Sequence, residues 1–195
     1  MRPKLILAST SPFRKQILEK LNCPFDTFNP KVDETVKPNE TAEMLVSRLA
    51  LEKAKAASRE YNNSISIGSD QVCVINNEII GKPGNFETAF AQLSAVSAQK
   101  ITFYTGLSVV NQCTNQTNTI VEQFIVHFRA LTDNQIRYYL ETEQPYNCAG
   151  SFMCEGLGIA LFSKLEGKDP NTLIGLPLIS LVEILQEQGY NVLEG

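Results

Sequence analysis

The chain opens on a short apolar run, Leu5-Ile6-Leu7-Ala8, that breaks into Ser9-Thr10-Ser11-Pro12-Phe13-Arg14. A run this short and this apolar reads as a buried strand. Ser11 is a helix-capping residue type, and Pro12 stands where the first helical residue belongs. A strand therefore feeds a hydroxyl-rich turn, and the turn opens a helix. Free backbone N–H groups at a helix start, with hydroxyls and an Arg beside them, form a site for an anion such as phosphate.

The remaining pattern mixes helices and strands. The first helix is expected from Pro12 to about Leu21, with Ile17, Leu18 and Leu21 on one face. Residues 22–40 are expected to be irregular, punctuated by Pro24, Pro30 and Pro38. A long helix follows from about Thr41 to Tyr61, in which Leu45, Val46, Leu49, Ala50, Ala56 and Ala57 form one apolar arc. Residues 65–75 read as a strand, turned at Asn76-Asn77 into a short return strand that ends at Gly81-Lys82-Pro83. Asn85 caps a helix, two strands follow at about 101–110 and 119–129, and Thr132 with Gln135 forms a capping box. A Gly-containing loop over 143–158 leads to a strand at Ile159–Phe162. Residues 166–171 read as a loop, and Pro177 opens a last helix that stops near Gly189. No repeat or low-complexity segment divides the chain, so a single domain over residues 1–195 is expected, of α/β class with a mixed sheet.

Composition narrows the function classes. A net charge of −4 argues against a non-specific nucleic-acid binder, which carries a basic face. The five cysteines are scattered without a CxxC pair, so reduced thiols in a cytoplasmic protein are expected rather than zinc or disulfides. No apolar run is long enough to cross a membrane. There is no GxxxxGK[ST], no GxGxxG after a strand and no HExxH. His127 is the one histidine and alternates with Val126 and Phe128 in a strand, so a serine or cysteine triad has little to build on.

Asp70 is the strongest candidate for chemistry. It sits in an apolar strand directly after Gly68-Ser69, and a buried carboxylate needs a metal, a cation or hydrogen-bond donors. Lys53 falls inside the apolar arc of the long helix, so it either snorkels to the rim or points into a cleft. Asp33 and Glu34 lie on a loop that leads toward that helix. Carboxylates facing a triphosphate hold a divalent cation, Mg²⁺ or Mn²⁺, through hard oxygen ligands. Arg14, Lys53 and Lys82 are the cations expected around the phosphates.

Taken together, these segments resemble the Maf family of nucleoside triphosphate pyrophosphatases. The resemblance rests on Ser9-Thr10-Ser11-Pro12-Phe13-Arg14, Val32-Asp33-Glu34, Glu52-Lys53-Ala54, Gly68-Ser69-Asp70-Gln71, Gly81-Lys82-Pro83, Ala149-Gly150 with Glu155-Gly156-Leu157-Gly158, and Gly175-Leu176-Pro177. It implies an elongated mixed β-sheet flanked by helices, in two lobes with a cleft between them, as in inosine triphosphate pyrophosphatases. It also implies hydrolysis between the α and β phosphates, a divalent metal, a cytoplasmic location and a tendency to form homodimers. Asp70 matches the family's proton acceptor. On this chain's own residues, Lys53 and Lys82 are expected to neutralise charge growing on the pyrophosphate leaving group, and Glu34 with Asp70 to hold or position the metal. Ser9, Ser11 and Arg14 are expected on phosphate.

Within the family the chain is similar to the branch acting on 7-methyl-GTP. Phe13 is aromatic where the dTTP and UTP branch is basic, Gln71 stands where that branch has threonine, and Glu155 where it has glutamine. Relatives in the methyl-GTP branch tend to carry Trp at the Phe13 position, so Phe13 offers a smaller stacking face. N7-methylation makes guanine cationic, and an aromatic face attracts it by about 0.5–2 kcal/mol. A carboxylate at Glu155 accepts from the guanine N1–H and exocyclic amine together, which uracil and thymine cannot match. The alternatives are a broader-range pyrophosphatase of dTTP, UTP or other modified nucleotides and a regulatory nucleotide-binding protein linked to division arrest. Cap binding on RNA is disfavoured by the acidic balance.

Overall fold

A computed structural model describes residues 2–76 and 78–194. The opening run forms β1 (Lys4–Leu7), and the hydroxyl-rich turn delivers the chain into α1 (Pro12–Glu19). Ser11 caps that helix through its side chain, with Pro12 in its first turn. The predicted long helix is α2 (Ala42–Glu60), capped by Thr41. β3 (Ser64–Ile75) and β4 (Glu78–Ile80) pair antiparallel as expected; of the turn, Asn76 takes a left-handed φ of +49°, and Asn77 lies outside the described residues. α3 (Phe86–Val96) is capped by Asn85, β5 (Lys100–Asn111) and β6 (Gln116–Phe128) follow, and the Thr132–Gln135 capping box opens α4 (Asp133–Glu143). Such caps stabilise a helix by about 1 kcal/mol each.

Three expectations need correction. Phe25–Thr27, read as irregular, is the edge strand β2. It pairs parallel with β1, Leu5 opposite Phe25, and a three-residue strand made by pairing alone leaves no period to read. The strand expected at 159–162 starts only at its last residue: β7 is Phe162–Glu166, preceded by a 3₁₀ turn at Leu157–Leu161. Gly158 sets that turn, because a Cβ there would lie 2.1 Å from the Met153 carbonyl oxygen, so the chain is folded too tightly to extend. The loop at 166–171 contains the start of a short helix, α5 (Pro170–Ile174), capped by Asp169 and stopped by Gly175 at φ +117°. The last helix, α6 (Leu178–Glu187), follows Pro177 as expected.

The sheet is mixed and seven-stranded, in the order β2-β1-β3-β5-β6-β7, with β4 on β3. β1 runs parallel to β2 and β3, and β7 runs antiparallel to β6. The chain divides into two compact units: residues 1–71, 105–122 and 168–195, and residues 72–104 and 123–167. In the first, Leu5, Leu7, Ile65, Ile67, Leu107 and Val109 of the sheet pack against residues of α1 and α6. In the second, Phe103, Phe128, Phe152 and Phe162 form an edge-to-face aromatic cluster. Among the described residues no helix is long and apolar enough to cross a membrane.

Candidate active site

The site in the first unit begins with two glycines. A Cβ on Gly68 of β3 would lie 2.2 Å from the Ala50 carbonyl oxygen, and one on Gly106 of β5 would lie 2.1 Å from that of Val46. Helix α2 therefore rests its main chain directly on the sheet, with no side chain between. Lys53 lies on that face, only 6% exposed, and reaches forward to Asp70, itself 8% exposed. Lys53 Nζ stands 2.7 Å from Asp70 Oδ1 and 2.6 Å from Glu34 Oε1. So the lysine aimed with the core neither snorkels to the rim nor sits alone. It lies between two carboxylates, which answers the energetic objection to burying an ammonium.

The turn after β1 faces the same carboxylates. Ser9 Oγ accepts from the Ser11 N–H (3.1 Å), and Ser11 Oγ accepts from the Arg14 N–H (3.4 Å). Both oxygens are engaged as acceptors, and among the described residues neither hydroxyl donates its proton. Arg14 donates through Nε to the Gly175 carbonyl (2.8 Å). Burial lowers its pKa from the usual guanidinium value, while Asp70 and Glu34 act on it in the opposite sense. An Arg stays charged under such shifts. Phe13, one residue before it on α1, is 37% exposed.

Gln71 follows Asp70 and is fixed from below. Its amide nitrogen donates to Thr105 Oγ1 (2.9 Å), the Thr172 carbonyl (2.7 Å) and the Leu173 carbonyl (3.2 Å). Carbonyls only accept, so the amide orientation is determined and Oε1 faces away from them. Ser69 Oγ lies 2.8 Å from the Gly106 carbonyl and 2.9 Å from that of Gly175. The α5 segment is thus a platform of carbonyls for Arg14, Ser69 and Gln71. Asp169, fully buried, ties the platform down by accepting from the Asn171 and Ile179 N–H groups, and Glu122 accepts from the Thr172 and Ser180 hydroxyls. Sequence reasoning missed this platform, although Asp169-Pro170 and Gly175 are recognisable start and stop signals.

Ser9, Ser11, Phe13, Arg14, Glu34, Lys53, Asp70 and Gln71 all belong to the first unit, while Lys82 and Glu155 belong to the second. There, exposed Lys82 stands between Gly81 and buried Pro83. Glu155 accepts from the Cys154 thiol at 3.3 Å. Burial raises the Cys148 thiol, Glu155 raises it further and Lys82 opposes the shift. Asp33, considered with Glu34, instead closes its own turn, accepting from the Thr35 N–H (3.0 Å) and hydroxyl (2.6 Å). His127 Nε2 lies 3.1 Å from Glu166 in the second unit, outside this chemistry.

A metal was expected on Glu34 and Asp70. Among the described residues no cluster of three or more His, Cys, Asp or Glu side chains forms a cage. Two carboxylates sharing one ammonium do suit Mg²⁺, which takes one or two protein oxygens and leaves its other positions to phosphate and water.

The family described as "Maf-like protein" matches residues 4–188. A protein of Aliivibrio fischeri named 7-methyl-GTP pyrophosphatase is 61% identical over 193 residues, covering 99% of this chain and 100% of its own. One of the same name from Colwellia psychrerythraea is 60% identical over 97% of this chain and 94% of its own, and one from Vibrio vulnificus 58% identical over 97% of each. Among solved structures, a HAM1 protein from Coxiella burnetii matches with a TM-score of 0.50 at 14% identity, over 95% of this chain and 99% of that one, which is a likeness of fold.

Proposed function

The chain belongs to the Maf-like family, and from that premise we propose that it is a pyrophosphatase that hydrolyses 7-methyl-GTP to 7-methyl-GMP and diphosphate. The activity is that of a hydrolase of acid anhydrides. The observation that carries the chemistry is Lys53 held between Asp70 and Glu34, with Arg14 under the influence of both carboxylates. The substrate rests on the shared name of near-full-length relatives.

The turn at Ser9–Arg14 binds the triphosphate. Ser9 and Ser11 donate their hydroxyl protons to phosphate oxygens, and Arg14, anchored at Nε, offers its remaining N–H groups. Lys53 holds Asp70 at Oδ1, and Oδ2 is the oxygen assigned to take a proton from the attacking water. Water adds to the α-phosphorus, the bond to the bridging oxygen breaks, and diphosphate leaves with the electron pair. Lys53 stabilises the charge that grows on the phosphates in this step. A divalent cation held by Asp70 and Glu34 would supply Lewis-acid charge to the phosphate oxygens. Phe13 stacks on the cationic base, and Gln71 presents its carbonyl oxygen. Lys82 and Glu155 enter the proposal from their sequence motifs, as leaving-group cation and guanine acceptor. The partner is a small nucleotide, not nucleic acid or membrane. A cytoplasmic location is supported by five free thiols.

Pyrophosphate release by purified protein with Mg²⁺ or Mn²⁺, compared across 7-methyl-GTP, GTP, dTTP and UTP, tests this reading. Preference for 7-methyl-GTP is expected. Preference for dTTP or UTP would retain the hydrolysis and overturn the base assignment. No release from any nucleotide would overturn the function and favour a regulatory binding protein.

A further inference from the structure

Glu34 sits in a segment without regular structure, between β2 and α2, and is itself exposed, yet its carboxylate is set 2.6 Å from the Lys53 ammonium. Something must hold the loop there. Arg48, on α2 and five positions before Lys53, meets that need. Its Nε and Nη2 take the two oxygens of Glu40 in a bidentate pair at 2.6 and 2.8 Å. Its Nη1 reaches Glu52 Oε2 at 3.2 Å. The remaining donors go to main chain: Nη2 to the Thr35 carbonyl at 3.1 Å and Nη1 to the Asp33 carbonyl at 3.5 Å. A guanidinium has five N–H donors, and these contacts use one for each.

Those two carbonyls belong to the residues on either side of Glu34. The Arg48 side chain is 15% exposed and its Glu40 partner 5% exposed, so the anchor is shielded from solvent. Glu40 also accepts from the Lys37 N–H (2.9 Å), and the Asp33–Thr35 turn stiffens the intervening bend. We infer that Arg48 is the positioning residue for Glu34, gripping the loop by both flanking carbonyls so that Glu34 is set against Lys53 beside Asp70. Helix α2 then supplies both the cation of the site and the clamp that brings the second carboxylate to it. Lysine cannot replace this function, since an ammonium lacks the planar fork that serves two carboxylates and two carbonyls together.

This inference rests on the pyrophosphatase reading for its kinetic consequence, but not for its structural one. The test uses Arg48→Lys, Glu34→Gln and the double variant in the full chain, with Glu40→Gln as a milder lesion should Arg48→Lys fold poorly. Arg48→Lys is expected to lower kcat/KM about tenfold, as removing outer support of metal-holding groups does. The double variant should be no worse than Glu34→Gln alone, because Arg48 acts through Glu34. Losses that multiply independently would overturn the inference. Amide hydrogen exchange over residues 32–37 supplies a readout free of turnover. Faster exchange there in Arg48→Lys or Glu40→Gln, with β1 and β3 unchanged, is expected, and unchanged exchange in the loop would overturn it. If the wild-type protein releases no pyrophosphate, the functional reading falls while the exchange result still decides the clamp.

Discussion

At the scale of single residues, Asp70, Lys53 and Glu34 form one electrostatic object. Asp70→Asn should keep the fold, because Lys53 retains Glu34, and should lower turnover by about 10²–10⁴, the range of a lost general base. Single-turnover kinetics beside circular dichroism check both halves. Lys53→Met is harsher. It leaves a carboxylate that is 8% exposed without its cation, and removal of one partner from a buried pair destabilises by about 3–5 kcal/mol. Urea unfolding of the two variants should rank them in that order. Part of this was legible beforehand. Asp70 in an apolar strand and Lys53 in an apolar helical arc are each misfits for their surroundings and stand out in the sequence, but Lys53 is expected there on phosphate, and its bond to Asp70 is a finding of the structure. The role of Glu34 was not legible from its surroundings, because it depends on a loop whose path is fixed by Arg48, and no local period encodes that path.

At the scale of elements, capped helices were readable because capping is local. Thr41, Asn85 and Thr132 each announce a helix within a few residues. β2 was not readable, since its strand character comes from β1 beside it. Helix α5 is short enough that its signals were absorbed into a loop, yet it carries the carbonyls that hold Arg14, Ser69 and Gln71. Asp169→Ala is therefore expected to destabilise by about 1–2 kcal/mol, as lost caps do, and to raise KM more than it lowers kcat. Steady-state kinetics on 7-methyl-GTP would show that split. The Arg48 loop makes a separate statement about pH. Arg48 holds Glu40 from an ordinary 4.5 down to about 2. A lowered carboxylate pKa adds stability that is complete above 4.5 and is lost as pH falls toward 2. Glu40→Gln should flatten the fall in Tm across that window, and a variant whose Tm falls as steeply as the parent's would show that the pair adds nothing.

At the scale of the whole molecule, the mixed α/β class and the strand, turn and capped helix of the start were accessible from patterning, whereas the order of strands in the sheet was not. Close packing explains the difference. Gly68 and Gly106 look unremarkable in sequence, yet each marks a place where α2 lies main chain to main chain on a strand. Gly68→Ala should disturb the whole first unit, because the added methyl meets backbone atoms that cannot turn aside. Loss of both thermal stability and pyrophosphate release is expected, and a variant retaining either would contradict that packing. The bond from Arg14 to the Gly175 carbonyl spans 161 positions of the chain. It therefore also concerns time. During synthesis at about 5–20 residues per second, Arg14 emerges roughly 10–30 s before its partner. Until then the turn at Ser9–Arg14 exists as a strand and a helix start without the support of α5, so a chain still being made holds the ingredients of the candidate site but not the site.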